Sequence, residues 1–192
     1  KEVLFISQYR EDLINKPEYF NLYENERQVL PIILDFCRQK KIKLAILPGQ
    51  ENYKIEKLHY SKLLGTNNFK MYVRNLKKSY SRIDSSFFST GINSTLLYEA
   101  VSRKKKTGIF NFLKNYKNLD SEYVLFSKNF KNNGRFWCKN FDKKKILKIL
   151  NYLYKISPKQ WERQNLSKIR LFNYDKDNYN LQSLINKVVI TN

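Results

Sequence analysis

Apolar and polar positions along this chain fall into blocks whose period switches between that of a strand and that of a helix. Val3-Leu4-Phe5-Ile6 is an unbroken apolar run, the pattern of a parallel strand covered on both faces, and a polar loop, Ser7-Gln8-Tyr9-Arg10, follows it. Residues 11–22 show no strong period, and Lys16-Pro17 argues against a long helix there. From Tyr23 to Lys40, Val29, Leu30, Ile33, Leu34 and Cys37 recur at three- and four-residue spacing. They predict an amphipathic helix with Glu24 and Glu26 near its positive end and Pro31 as either a kink or its first turn. Leu44–Leu47 is the next buried strand, ended by Pro48-Gly49-Gln50. Ile55, Leu58, Leu63 and Leu64 pattern a helix closed by Gly65. Met71–Val73 reads as a strand at or near a sheet edge, and Ser79 to Asp84 as a short helix or turn.

The middle of the chain carries the densest signal. Phe87–Ser89 predicts a strand, the turn at Gly91 admits close approach of a backbone or ligand, and Asn93 or Ser94 suits a helix N-cap. Leu96, Leu97, Ala100 and Val101 are spaced for a helix lying on the sheet, and Gly108–Phe110 is a further strand. Beyond a long polar and aromatic connection, 113–134, come a strand at Phe136–Cys138, a helix capped by Asp142, another opened by Ser157-Pro158, and a closing helix at Tyr179 to Val189. Strands alternating with helices throughout predict an α/β fold: a Rossmann-like three-layer sandwich around a doubly wound, mostly parallel sheet of about six strands, with the Val3 and Phe87 strands adjacent where the strand order reverses. Such sheets bind ligands beyond their C-terminal strand ends. That selects the loops at Ser7-Gln8-Tyr9, Pro48-Gly49-Gln50, Arg74-Asn75, Gly91 to Thr95 and Asn111-Phe112.

A helix N-terminus bearing the Ser94 and Thr95 hydroxyls after a strand is suited to a phosphate. Glu99, a turn or more along, is placed to accept from ribose hydroxyls. An ordinary capped junction with a solvated Glu99 fits the same spacing. The run Asn93-Ser94-Thr95-Leu96-Leu97-Tyr98-Glu99-Ala100, continued by Arg103, Lys105 and Lys106, resembles the D/N-S-T-L-x-Y-E-A-x-x-R-G-K-K stretch of bacterial surface-carbohydrate biosynthesis proteins. Ser79-Tyr80 with Ile83-Asp84 is similar to the S-Y-x-x-I-D that precedes it there. Lys104 stands where that family usually has Gly to end the helix. Those proteins resemble the C-terminal, nucleotide-sugar-binding half of GT-B glycosyltransferases, and the likeness runs from about Lys43 onward.

The resemblance implies a single domain over 1–192, the C-terminal half of a two-domain glycosyltransferase that lacks its N-terminal domain here. Its substrate would be a nucleotide-sugar, with no separate cofactor and no metal. Its acceptor would be a polysaccharide or lipid-linked molecule held largely by the missing half. The candidate nucleotide-sugar-binding residues are Gly91, Asn93, Ser94, Thr95, Glu99, Gln8, Gly49, Gln50 and Asn111. The residues assign no catalytic group.

Composition changes the picture at a few points. A net charge of +20 attracts polyanions: nucleic acid, anionic lipid and nucleotide phosphates. The lysines are spread along the chain beside abundant Asn, Ile and Tyr, as an A/T-rich coding bias also produces, and no specific nucleic acid is expected. Peripheral contact with an anionic inner-membrane face, from the cytoplasmic side, suits the same charge. A nucleic-acid-binding module, and a non-catalytic scaffold or sugar-nucleotide isomerase relative of the same fold, are the rival classes. Two cysteines, Cys37 and Cys138, and one histidine, His59, cannot assemble a Cys/His zinc set. His59 reads as a surface or packed residue, and Trp137 and Trp161 as core. There is no P-loop, no G-x-G-x-x-G and no Ser-His-Asp arrangement, which disfavours Walker-type ATP hydrolysis and dehydrogenase chemistry.

Overall fold

A computed structural model describes residues 1–13, 17–50, 53–112 and 133–169. The sequence-predicted helix at Tyr179 to Val189 and most of the 113–134 connection lie outside them. Six strands, β1 (Glu2–Ile6), β2 (Lys43–Leu47), β3 (Lys70–Met71), β4 (Phe88–Gly91), β5 (Thr107–Phe110) and β6 (Trp137–Cys138), form one sheet in the order β3-β2-β1-β4-β5-β6. Every pair is parallel. This is the doubly wound order in which the chain turns back between β1 and β4. The register puts Phe5 beside Thr90 and Ile6 beside Gly91. The predicted adjacency of the first and fourth strands therefore holds.

The helices are α1 (Pro17–Gln39), α2 (Tyr53–Leu64), α3 (Leu76–Ser85), α4 (Thr95–Ser102), α5 (Lys143–Lys155) and α6 (Pro158–Ile169). Alternation along the strands divides the core. Leu4, Ile6, Ala45 and Leu47 pack with Ile83 of α3 and with Leu97 and Ala100 of α4. Val3, Phe5, Leu44, Ile46 and Phe88 pack with α1, α2, α5 and α6. Trp137 and Trp161 are buried, as are the two free cysteines. No helix among the described residues is long and apolar enough to cross a membrane.

Helix ends follow the chemistry of their residues. Asp142 Oδ1 accepts from the Lys145 N–H at 3.1 Å, and Asn75 Oδ1 from the Lys78 N–H at 3.1 Å. Ser157 and Gln160 form a reciprocal capping box, each side chain accepting from the other's N–H. Gly65, at φ +83°, closes α2. One expectation is corrected: Pro17, read as a break, is the first residue of α1, where its missing N–H removes no helical bond. The helix then runs through Pro31 to Gln39.

The two segments quoted for the family resemblance meet in space. Tyr80 donates to Glu99 at 2.6 Å, and Arg103 and Lys105 reach Asp84 at 2.5 and 3.3 Å, zipping α3 to α4. Lys106 is buried, and its ammonium donates to the carbonyls of Leu153 and Ile156 at the end of α5. Lys104 takes φ +63°, the left-handed conformation that favours glycine, and pairs with Glu162 at 2.6 Å. The helix stop survives the substitution: Lys104 N–H donates to Val101 O and Lys105 N–H to Ala100 O. The basic tail of the motif and its Glu99 thus hold helices together.

Candidate functional site

A cleft of about 700 Å³ opens over the C-terminal strand ends beside the switch point. Its walls come from the loop after β1 (Ser7 to Arg10), Pro48 and Gly49 after β2, Arg74 after β3, Ser79 and Tyr80 of α3, and the start of α4. Gln8, Gly49, Ser94, Thr95 and Glu99 line it. Ser94 occupies the N-cap of α4, yet its hydroxyl makes no capping bond. The first N–H groups of the helix therefore keep no side-chain partner, and an anion in the cleft meets donors and the positive end of the helix together. Glu99 is exposed one turn along, and Tyr80 donates to one of its oxygens.

The remaining sequence candidates are not in the wall. Gly91 is buried within β4, where its missing Cβ lets α4 close on the sheet: a Cβ there would stand 2.7 Å from Leu97 Cδ1 and 2.9 Å from Ile6 O. Asn93 lies behind the turn, its side-chain oxygen accepting from the Tyr98 hydroxyl. Gln50 offers its backbone N–H to Glu56 at 3.3 Å, and its side-chain nitrogen is buried without a partner. Asn111 is buried just past β5, with neither amide atom hydrogen-bonded. His59 stacks on Tyr9 at 4.4 Å rather than lining the cleft, and burial lowers its pKa.

Three further cleft residues, Arg10, Arg74 and Tyr80, are not among the sequence-predicted binding residues. The Arg74-Asn75 loop was singled out, because it follows an edge strand at its C-terminal end, and Tyr80 lay in the S-Y-x-x-I-D resemblance. Arg10 is tied to Asp12 at 3.0 Å. Arg74 brings a second guanidinium to the cleft.

Below the floor lies a polar network with no clear sequence signal. Glu26 of α1 and Glu56 of α2 are fully buried. Glu26 accepts from the Gln8 N–H at 2.9 Å and from the Tyr60 hydroxyl at 2.7 Å. Glu56 accepts from the N–H groups of Gly49 and Gln50. Ser7 Oγ lies 2.6 Å from the Tyr60 oxygen and accepts from the Tyr9 N–H. Two carboxylates thus hold the backbones of the loops after β1 and β2. Burial pushes Glu26 up to about 7, against the pull of its two donors. Burial raises Glu56 too, opposed by its hydrogen bonds and by Arg74. Burial also lifts Tyr60 well above the ordinary tyrosine range. No cluster of His, Cys, Asp and Glu among the described residues is arranged to hold a metal ion.

The fold and cleft define a Rossmann-like α/β protein whose pocket sits where this architecture binds its ligands. Over residues 1–189 the chain matches the family described as "putative O-antigen biosynthesis protein", and it belongs to that family of surface-polysaccharide biosynthesis. No curated protein matches it.

Proposed function

We propose that the cleft binds the phosphates of a nucleotide-sugar, and that the chain is the donor-binding domain of a GT-B-type glycosyltransferase of surface-polysaccharide assembly. The observation that carries this reading is the uncapped start of α4, with Ser94 and Thr95 lining the cleft. Arg74 supplies the counter-charge, and Glu99 accepts from ribose hydroxyls with the lone pairs left by Tyr80. Membership of an O-antigen biosynthesis family supports sugar transfer as the chemistry. In that chemistry the helix end and Arg74 stabilise charge developing on the leaving nucleotide phosphate. A polysaccharide or lipid-linked acceptor enters from the open side, presented by a second domain, and the basic surface suits contact with an anionic membrane.

Calorimetric titration with CMP-, UDP- and GDP-sugars tests this reading. Ser94→Ala is expected to weaken binding about tenfold, the loss of one hydrogen bond to a charged group. Its melting temperature should stay at the wild-type value, because the hydroxyl caps nothing. Glu99→Gln should cost less, since the amide oxygen still accepts one bond. Unchanged binding in Ser94→Ala removes the phosphate role.

Charge favours a second reading. Arg135, Lys145 and Lys148 line an open groove of about 550 Å³, and none of the described residues in its wall is a carboxylate. A polynucleotide-binding module would hold random-sequence RNA or DNA below micromolar concentration at physiological salt, with steep salt dependence. The donor-binding reading expects only weak binding there.

A further inference from the structure

We infer that Gln8 is a positioning residue: it fixes the turn that opens α4, and so sets the anion affinity of the cleft without holding the anion. This rests on the phosphate reading above. The β1–β4 ladder ends at the Ile6–Gly91 pair, where the two chains part to either side of the switch point. Past that rung, the Gln8 side chain replaces the missing backbone partner. Its nitrogen donates to Asn93 O at 2.6 Å, and its oxygen accepts from Asn93 N–H at 2.8 Å. A carboxamide closed on both polar groups of one residue fixes that residue's position and orientation, as a further ladder rung would. Asn93 immediately precedes Ser94, so the clamp acts one peptide away from the residue that lines the cleft at the start of α4.

The clamp is itself anchored. Gln8 N–H is held by Glu26 at 2.9 Å, and Glu26 by Tyr60 at 2.7 Å. On the far side, Tyr98 donates to Asn93 Oδ1 from within α4. A continuous set of hydrogen bonds therefore runs from a buried carboxyl group on α1 through Gln8 and Asn93 into the first turns of α4. The amide oxygen and one N–H of Gln8 are spent on Asn93, although the residue lines the cleft. Clefts that recognise phosphate through backbone N–H groups depend on those groups being held in place before the ligand arrives.

The test uses the full chain and inorganic pyrophosphate as the probe. Gln8→Met keeps the shape and removes both bonds, while Gln8→Glu keeps the acceptor and removes the donor. Affinity is measured by calorimetry for wild type, both variants, Ser94→Ala and the Gln8→Met/Ser94→Ala double variant, with amide hydrogen exchange recorded at Asn93. Gln8→Met is expected to weaken pyrophosphate about fivefold to tenfold, and to lose less in the Ser94→Ala background than in wild type, because part of its effect passes through Ser94. Exchange at Asn93 should accelerate about tenfold or more without ligand. Gln8→Glu should fall at least as far as Gln8→Met. Independent, additive losses would make Gln8 a direct ligand contact and overturn the inference. So would unchanged Asn93 exchange, or a lower melting temperature with wild-type affinity in the folded protein. Binding that responds to Ser94→Ala but not to Gln8→Met sinks this inference alone. Failure of wild type to bind pyrophosphate brings down the phosphate reading as well.

Discussion

Glu26→Gln should gain stability on wild type by up to about 3 kcal/mol as pH rises from about 4.5 to about 7, and hold that lead above it. The sign follows from proton counting. The carboxyl group has its ordinary value near 4.5 in the unfolded chain and about 7 in the fold. Between those values the native state binds more protons, so raising the pH favours unfolding. Below about 4.5 the group is neutral in both states and the two proteins should differ least. Glutamine copies the neutral form closely, using its oxygen and one of its two N–H groups. Its oxygen accepts from Gln8 N–H, its NH₂ donates to the Tyr60 oxygen, and the Tyr60 hydroxyl turns to Ser7 Oγ, which lies 2.6 Å away. Urea denaturation of both proteins at pH 4.5, 6 and 8 measures the gap, which corresponds to roughly 6–12 °C in Tm for a chain of this size. His59, lowered, shapes both curves and cancels in the difference, whereas Glu56, raised in the same direction and repelling Glu26, cancels only in part. Parallel curves would show that Glu26 is ionised as readily in the fold as in the unfolded chain.

That carboxyl group also shows where sequence reasoning reached its limit. Glu24 and Glu26 read as charges at the positive end of a helix starting near Tyr23. The helix starts at Pro17, so Glu26 falls in its third turn and faces the core beneath the cleft. A buried carboxylate whose partners lie on another helix and in a distant loop leaves no periodic trace. The parallel architecture was legible because the β1 and β2 runs are apolar on both faces and the small-residue strands β4 and β5 are bounded by turn signals. The edge strands were less so. Β3 and β6 pair over two residues each, and Val73, assigned to a strand, lies past the end of β3 and is exposed. At the cleft, Ser94, Thr95 and Glu99 were legible from capping logic and the resemblance. Arg74 depends on which loops the topology brings together, and the Gln8–Asn93 clamp spans 85 residues.

Gly91→Ala should destabilise the fold by about 2–3 kcal/mol and also weaken pyrophosphate binding. The backbone is extended in β4, so the cost is not one of torsion. The added methyl would stand 2.9 Å from Ile6 O and 2.7 Å from Leu97 Cδ1. Leu97 can change rotamer, but Ile6 O belongs to the paired edge of β1 and cannot retreat without opening the ladder. The strain is then relieved by lifting α4 off the sheet, which moves the Ser94–Thr95 end of the helix against the clamp at Asn93. Gly108→Ala in β5 is the control. Its methyl would meet the far end of a flexible side chain, Leu153 Cδ1, at 3.0 Å, on the α5 side of the sheet. It should cost less stability and leave pyrophosphate affinity at the wild-type level. Urea denaturation and calorimetry on the two variants separate the effects. A Gly91→Ala protein that loses stability but binds as wild type does would mean that the seating of α4 on the sheet does not govern the anion site. Equal losses of affinity in both variants would trace the effect to general loosening of the sheet rather than to that one contact.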